Sequence, residues 1–350
     1  MKAPDRSTEK RLEQIRREAE LTGRVDAKGI RASGAPLPEA SSSNGYYGLP
    51  LLKPPTWTWE VPVYFAVGGA AGVAAMIGVA AQLSRADRRL VRDARWIAAI
   101  GANLSAPLLI ADLGRPERFL NMLRVFKPQS PMSVGAWILS AFGAGAVGAV
   151  ILPGPFGDVA AIGSAAAGLG MATYTGVLLG ATSIPVWSKH VAILPLHFGA
   201  SATGSAVSLL ELRGHDERAL NAIAIAAASF ETLTAARIEL THDVESEPLR
   251  HGTSGTLTRI GGVLSGPVPL LLRLFGASSK KTRRLAAAST IAGSLVTRLA
   301  WVAAGRASAR DPRSPMQLER GDASRVRDAI GEGAPARQTG NREADSGRQK

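Results

Sequence analysis

Between residues 128 and 188 the chain carries a single charged side chain, Asp158. The flanking runs 128–157 and 159–188 hold no Asp, Glu, Lys or Arg, and neither does a third run, 61–83. An apolar helix of about 20 residues crosses a hydrocarbon core of about 30 Å. A water-soluble fold of 350 residues has no use for several such runs in series. Inside lipid every backbone polar group must be satisfied internally, which leaves helices or closed barrels. These runs are too long and lack the period of two that barrel strands need, and their alanine favours helix. The sequence therefore predicts an all-α protein, a polytopic transmembrane helix bundle.

Eight spans are expected, at 61–83, 96–111, 132–152, 159–182, 189–210, 218–240, 260–276 and 285–305. The seventh is short and carries Gly266-Pro267-Val268-Pro269 near its centre, so it and the eighth could instead form a re-entrant or interfacial pair. The transmembrane domain covers 46–306. Tails 1–45 and 307–350 are polar and expected to be disordered, with a short helix around 8–21. The first tail lacks the charge-then-apolar pattern of a cleaved signal peptide, so the first span should direct insertion. Gly68, Gly69, Gly72, Gly143, Gly145, Gly148 and Gly168 would let helix backbones touch, the main source of helix association in lipid. The alternative is a simple bias of composition.

The net charge of +13 suggests acidic partners, but most of the arginines lie between spans and in the tails. Membrane orientation explains them without nucleic acid. The loop after the first span holds Arg85, Arg88, Arg89, Arg92 and Arg95, and the one after the seventh holds Lys280, Lys281, Arg283 and Arg284. With eight spans both face the cytoplasm, and both termini lie outside the inner (cytoplasmic) membrane of a bacterium. Arg115, Arg118, Arg124 and Lys127 sit on the other side and weaken that bias. The absence of cysteine excludes a cysteine-ligated iron–sulfur cluster, a CxxCH haem and a disulfide.

Ionisable groups gather toward the outward interface: Glu60 opens the first span, Asp112 closes the second, His190 and His197 lie in the fifth, and Glu239 ends the sixth. Tyr46, Tyr47, Trp57 and Trp59 add aromatic surface there. Each could simply anchor a helix at the interface. Together they suit an amphipathic ring such as a quinone, whose head needs hydrogen bonds and a proton source while its tail needs lipid. A haem held by His190 and His197 would need second axial ligands, and His215, His242 and His251 all fall in loops. No metal site is expected. Glu231 and Arg298 lie deepest and should face one another inside the bundle, as a structural ion pair or a step in proton movement. Asn103 could extend that polar interior.

Several ordered segments resemble the NrfD/PsrC family, the polysulfide-reductase-type membrane anchors of molybdoenzyme complexes. They are Tyr46-Tyr47-Gly48-Leu49-Pro50, Pro62-Val63-Tyr64-Phe65 followed by Gly68-Gly69, and Asp112-Leu113-Gly114-Arg115-Pro116-Glu117-Arg118-Phe119 with Ser130-Pro131-Met132-Ser133 beyond it. Thr173-Tyr174-Thr175-Gly176 and Pro185-Val186-Trp187 fit the fourth span and its exit. The likeness is strong through the fifth span and weaker after it. It implies a subunit that binds exchangeable menaquinone or ubiquinone near the outward face and holds no haem or cluster of its own. Its electrons would pass to or from an iron–sulfur subunit serving a molybdopterin catalytic subunit or a multihaem cytochrome. On that reading Asp112, Glu60, His190 and His197 are candidates for proton exchange. Tyr64 and Trp59 are candidates for holding the ring, Asp112 for binding its head, and Arg115 for partner contact or closing the pocket. The rivals are a secondary transporter or proton-conducting protein, and a purely structural anchor.

Overall fold

The computed structural model describes residues 52–113, 117–276 and 279–311, together with the backbone of 25–26 and 29–30. The expected helix at 8–21, the tail after 311, Tyr46, Tyr47 and Arg115 lie outside the described residues. In the first unit, Val25–Asp26 (β1) and Gly29–Ile30 (β2) pair antiparallel, Val25 opposite Ile30.

The second unit is helical. Its elements are α1 (Glu60–Leu83), α2 (Arg88–Asp112), α3 (Glu117–Arg124), α4 (Pro131–Ile151), α5 (Gly154–Gly180), α6 (Pro185–Lys189), α7 (Leu194–Leu212), α8 (Arg218–Leu240), a 3₁₀ turn (Val244–Leu249), α9 (Gly252–Ser265), α10 (Pro267–Gly276) and α11 (Lys280–Arg310). Local chemistry sets the boundaries. Asp87 accepts from the Arg89 N–H and Ser130 from the Ser133 N–H, each capping the helix that follows. Pro131 then occupies the first position of α4, where its missing N–H does no harm. Between α1 and α2, Arg85 turns the chain with φ +54°.

Six of these helices are long and apolar enough to cross a membrane: α1, α2, α4, α5, α8 and α11. Six of the eight expected spans are matched by such helices, and the fifth and seventh differ from their expected form. The fifth expected span is shorter, because 189–193 form the end of α6 and a turn. The helix that follows, α7, carries a polar stripe of His197, Ser201, Ser205, Ser208 and Glu211, all buried. The seventh is two short helices, α9 and α10, broken at Gly266. A Cβ at Gly266 would stand 2.8 Å from the Thr232 hydroxyl and 2.9 Å from the Gly262 carbonyl, so the break is wedged against α8.

Large apolar side chains lie outside as well as inside, unlike in a soluble domain. Large apolar side chains such as Ile100, Leu104, Phe156, Leu169 and Phe275 face outward. The interior combines many alanines, glycines and serines with large side chains such as Phe65, Trp187 and Trp301, and it also holds Glu231, Arg273 and Arg298, these three no more than 1% exposed. Such an exterior suits lipid, and contact at small residues draws the helices together. Gly72 and Gly168 put α1 and α5 backbone to backbone, and Gly145 sets α4 against Ser164 of α5. Gly143 meets nothing within 4 Å, so the packing role expected for it is absent.

Polar ties define the two ends of the bundle. At one end Arg95 meets Asp158 at 2.6 Å, His215 meets Asp93 at 3.0 Å and Arg283 meets Asp216 at 3.3 Å. This end gathers the α1–α2, α4–α5, α7–α8 and α10–α11 turns. At the other, Thr58 meets Asp112, Lys189 meets Asp243 at 3.1 Å, and the Val186 N–H donates to the Ser308 hydroxyl.

Candidate functional site

Where α1 begins and α2 ends, a cavity of about 360 Å³ opens between α1, α2, α4 and α5. Its volume lies in the range of small-molecule sites, and its walls combine apolar surface with a few convergent polar groups. Trp57, Phe65, Leu109 and Met132 supply apolar surface, while Tyr64, Tyr174 and Asp112 supply the polar atoms. Asp112 Oδ1 accepts from the Thr58 N–H and lies at the same distance, 3.0 Å, from the Thr58 hydroxyl. That hydroxyl also contacts Glu60 Oε2, so its one proton serves one carboxylate at a time. The Tyr174 hydroxyl donates to the Pro131 carbonyl, and the Tyr174 ring packs against Gly135. The Tyr64 hydroxyl has no hydrogen-bond partner among the described residues, although only 2% of the residue is exposed.

The aromatic wall continues inward. Trp57 stacks on Trp187 with ring centres 5.3 Å apart and meets the edge of Phe65. Phe65 in turn lies 6.2 Å from Phe198. Trp187 is fully buried and donates from Nε1 to the Trp301 carbonyl at 2.9 Å.

Beyond that wall lies a second polar cluster. Glu231 Oε1 is 3.3 Å from His197 Nδ1 without the alignment of a hydrogen bond, and Glu231 Oε2 accepts from Ser265 at 2.8 Å. Arg298 donates from Nη1 to the hydroxyls of Ser201 and Ser294, and from Nη2 to the Phe198 carbonyl, with its carbon 5.0 Å above the Phe198 ring. Both expected interior charges are therefore buried in the bundle. Their direct pairing is corrected: among the described residues no ion pair joins Glu231 to Arg298. Glu231 takes His197 and Ser265 as partners, while Arg298 takes serines and a carbonyl.

The expected site residues thus fall into separate places. Asp112 and Tyr64 come together at the cavity, and Glu60 lies outside its lining, linked to Asp112 through the Thr58 hydroxyl. Trp59 does not join them: it is 62% exposed, and its neighbour Trp57 supplies the indole instead. His190 and His197 lie on the far side of the aromatic wall, both against the Trp301 ring. His190 sits in the turn before α7, outside the spanning helices, with Nδ1 2.9 Å from the Val186 carbonyl. Burial holds its pKa below the usual histidine value, and Lys189 and Arg237 add repulsion against the bond to Val186. It is therefore neutral near pH 7. Asn103 turns back to its own helix and bonds the Ala99 carbonyl.

Sequence reasoning missed two features. One is the bidentate pair of Arg273 with Glu211, at 2.6 and 2.7 Å. The other is the serine stripe of α7, whose spacing of three and four residues was present as a signal.

An outward apolar surface and six long apolar helices define a multi-pass membrane protein. The family model NrfD_2, polysulfide reductase, matches residues 43–310, and the chain belongs to that family. Its members are membrane subunits of polysulfide-reductase-type redox complexes. Compared with curated protein sequences, the chain has no match.

Proposed function

We propose that this chain binds quinone or quinol in the cavity beside Asp112 and exchanges electrons with an iron–sulfur partner subunit. That partner in turn serves a molybdopterin catalytic subunit or a multihaem cytochrome. The observation that carries the reading is a largely apolar cavity of about 360 Å³ that the Tyr64 hydroxyl and the Asp112 carboxylate both line. A quinone bound there supplies a couple of two electrons and two protons. The Tyr64 hydroxyl would donate to a ring oxygen, and the Trp57 and Phe65 rings would hold the ring plane. When quinol is oxidised, its two electrons would go to the iron–sulfur partner, while Asp112, steadied by Thr58, would take its two protons in turn and Glu60 would pass each to water at the rim. The neutral His190 and the enclosed His197 stand apart from this path.

On the same reading α7 and the broken α9–α10 pair also traverse the bilayer, giving eight crossings. The alternation of turns between the two ends supports this. The arginine-bearing end would face the cytoplasm of a bacterial cell, with the cavity outward.

Asp112→Asn in the assembled complex is expected to lower quinol turnover by roughly a hundredfold or more, the usual scale for losing a positioned proton acceptor. Tyr64→Phe should raise the KM for quinone by about two- to tenfold, the scale of one neutral hydrogen bond. Unchanged turnover and quinone titration in Asp112→Asn, with assembly intact, would remove Asp112 from the mechanism.

The buried stripe of α7 favours a second reading, in which protons cross the bundle by way of Glu231. In proteoliposomes Glu231→Gln should then lower the number of protons released per quinol while leaving quinol turnover in place. A proton gradient equal to that of the unsubstituted complex rejects it.

A further inference from the structure

At the arginine-bearing end, a cavity of about 720 Å³ opens between the α1–α2 and α4–α5 turns, with Arg85, Arg88, Arg92 and Arg95 on its wall. Arg95 is committed: it donates to Asp158 and Gln82 at 2.6 Å each and to the Ala149 carbonyl. Arg85 and Arg88 have no carboxylate partner among the described residues. Arg92 comes only within 3.7 Å of Asp93, which His215 and Arg213 already share. Asp158 is the one carboxylate that lines the cavity, against four guanidinium groups.

From this basic mouth an apolar groove runs down between α2 and α4. Trp96 and Val150 line both the mouth and a first section of about 380 Å³. Asn103, Val147 and Ile151 lead from there into a second section of about 670 Å³, which reaches Ile110. The fourteen steps from Trp96 to Ile110 span about 21 Å of helix, more than the roughly 15 Å depth of one leaflet. Trp96, Ile100, Leu104 and Ile151 expose their side chains along it. Gly143, on the groove wall, leaves its Cβ position open.

We infer that this is a binding site for an anionic phospholipid, with its phosphate among Arg85, Arg88 and Arg92 and its acyl chains in the α2–α4 groove. The two halves match the two halves of such a molecule. Guanidinium groups bind phosphate through paired, charge-assisted hydrogen bonds, and an indole at the junction suits the headgroup level. A zwitterionic lipid would leave the excess positive charge uncompensated. A free anion would have no need of the groove.

The test uses the full-length protein in mild detergent and native mass spectrometry, with cardiolipin, phosphatidylglycerol, phosphatidylcholine and inorganic phosphate as probes. Each arginine near a membrane surface adds about fivefold in affinity for anionic lipid. The triple variant Arg85→Ala, Arg88→Ala, Arg92→Ala should therefore hold cardiolipin roughly a hundredfold more weakly. Lysine at the same three positions should keep most of the binding, and Arg89→Ala, outside the cavity, should change nothing. Gly143→Phe, whose side chain has open space to enter, should expel the acyl chains and reduce cardiolipin retention with every arginine present. Phosphatidylcholine held as tightly as cardiolipin overturns the proposal. So does full displacement by millimolar phosphate, which would mark a site for a free anion. Retention unaffected by either the alanine triple or Gly143→Phe also overturns it.

Discussion

Glu211→Met is expected to destabilise the protein by roughly 3–5 kcal/mol, the scale found when one member of a buried ion pair is removed. Arg273 is 1% exposed, and Glu211 takes both terminal nitrogens of its guanidinium in parallel bonds of 2.6 and 2.7 Å. Among the described residues the only other side chain that bonds it is Asn221, at 3.4 Å, and Nε has no partner there. Without Glu211 a full positive charge would remain in the bundle with one long, neutral hydrogen bond. The pair also ties α10, a ten-residue helix, to the end of α7, so its loss should loosen the broken segment first. Thermal unfolding of the full chain in mild detergent should show a fall of roughly 10 °C. The double variant Glu211→Met, Arg273→Met should recover most of that loss, since replacing both members of a buried pair with apolar groups is often neutral or better. A fall of less than about 2 °C in the single variant, or a double variant no better than the single, refutes the assignment.

That pair shows where sequence reading ran out. Long, predominantly apolar runs made six spanning helices legible, because lipid demands long apolar stretches wherever the chain crosses. The break in the seventh expected span was legible too, in Gly266-Pro267-Val268-Pro269. Helix ends were less so. Hydropathy started the second span at 96, but α2 begins at Arg88, because Asp87 caps it and arginines continue a helix past the apolar core. The cavity was half legible: Asp112, Glu60 and Tyr64 stood out by residue type and position. The choice of Trp57 over Trp59 depends on how the chain enters α1, which composition does not record. Partners of interior charges are harder still. Glu231 meets His197 and Arg298 meets Ser201 because of how α7, α8 and α11 are rotated about their axes, and small-residue contacts set that rotation.

Those contacts carry the second large effect. Gly168→Leu is expected to prevent α5 from docking on α1, while Gly163→Leu on the same helix leaves the protein intact. A Cβ at Gly168 would stand 2.5 Å from the Gly72 carbonyl oxygen, and one at Gly72 would stand 2.4 Å from that of Gly168. Both obstacles are backbone, so no rotamer change relieves them and the helices must part. Overpacking of a core commonly costs about 1–3 kcal/mol. Separation of two helices whose backbones touch at glycines should reach or exceed the top of that range, because lipid supplies no hydrophobic drive to bring them back. Gly163 has nothing within 4 Å of its Cβ position and faces outward, so leucine there adds only lipid-facing surface. The comparison separates packing from composition, since both changes replace a glycine of α5 with the same residue. Extraction into mild detergent followed by size-exclusion chromatography should give a single folded species for Gly163→Leu and mainly aggregate for Gly168→Leu. Equal recovery of the two would mean that the touching backbones of α1 and α5 contribute little to holding the bundle together.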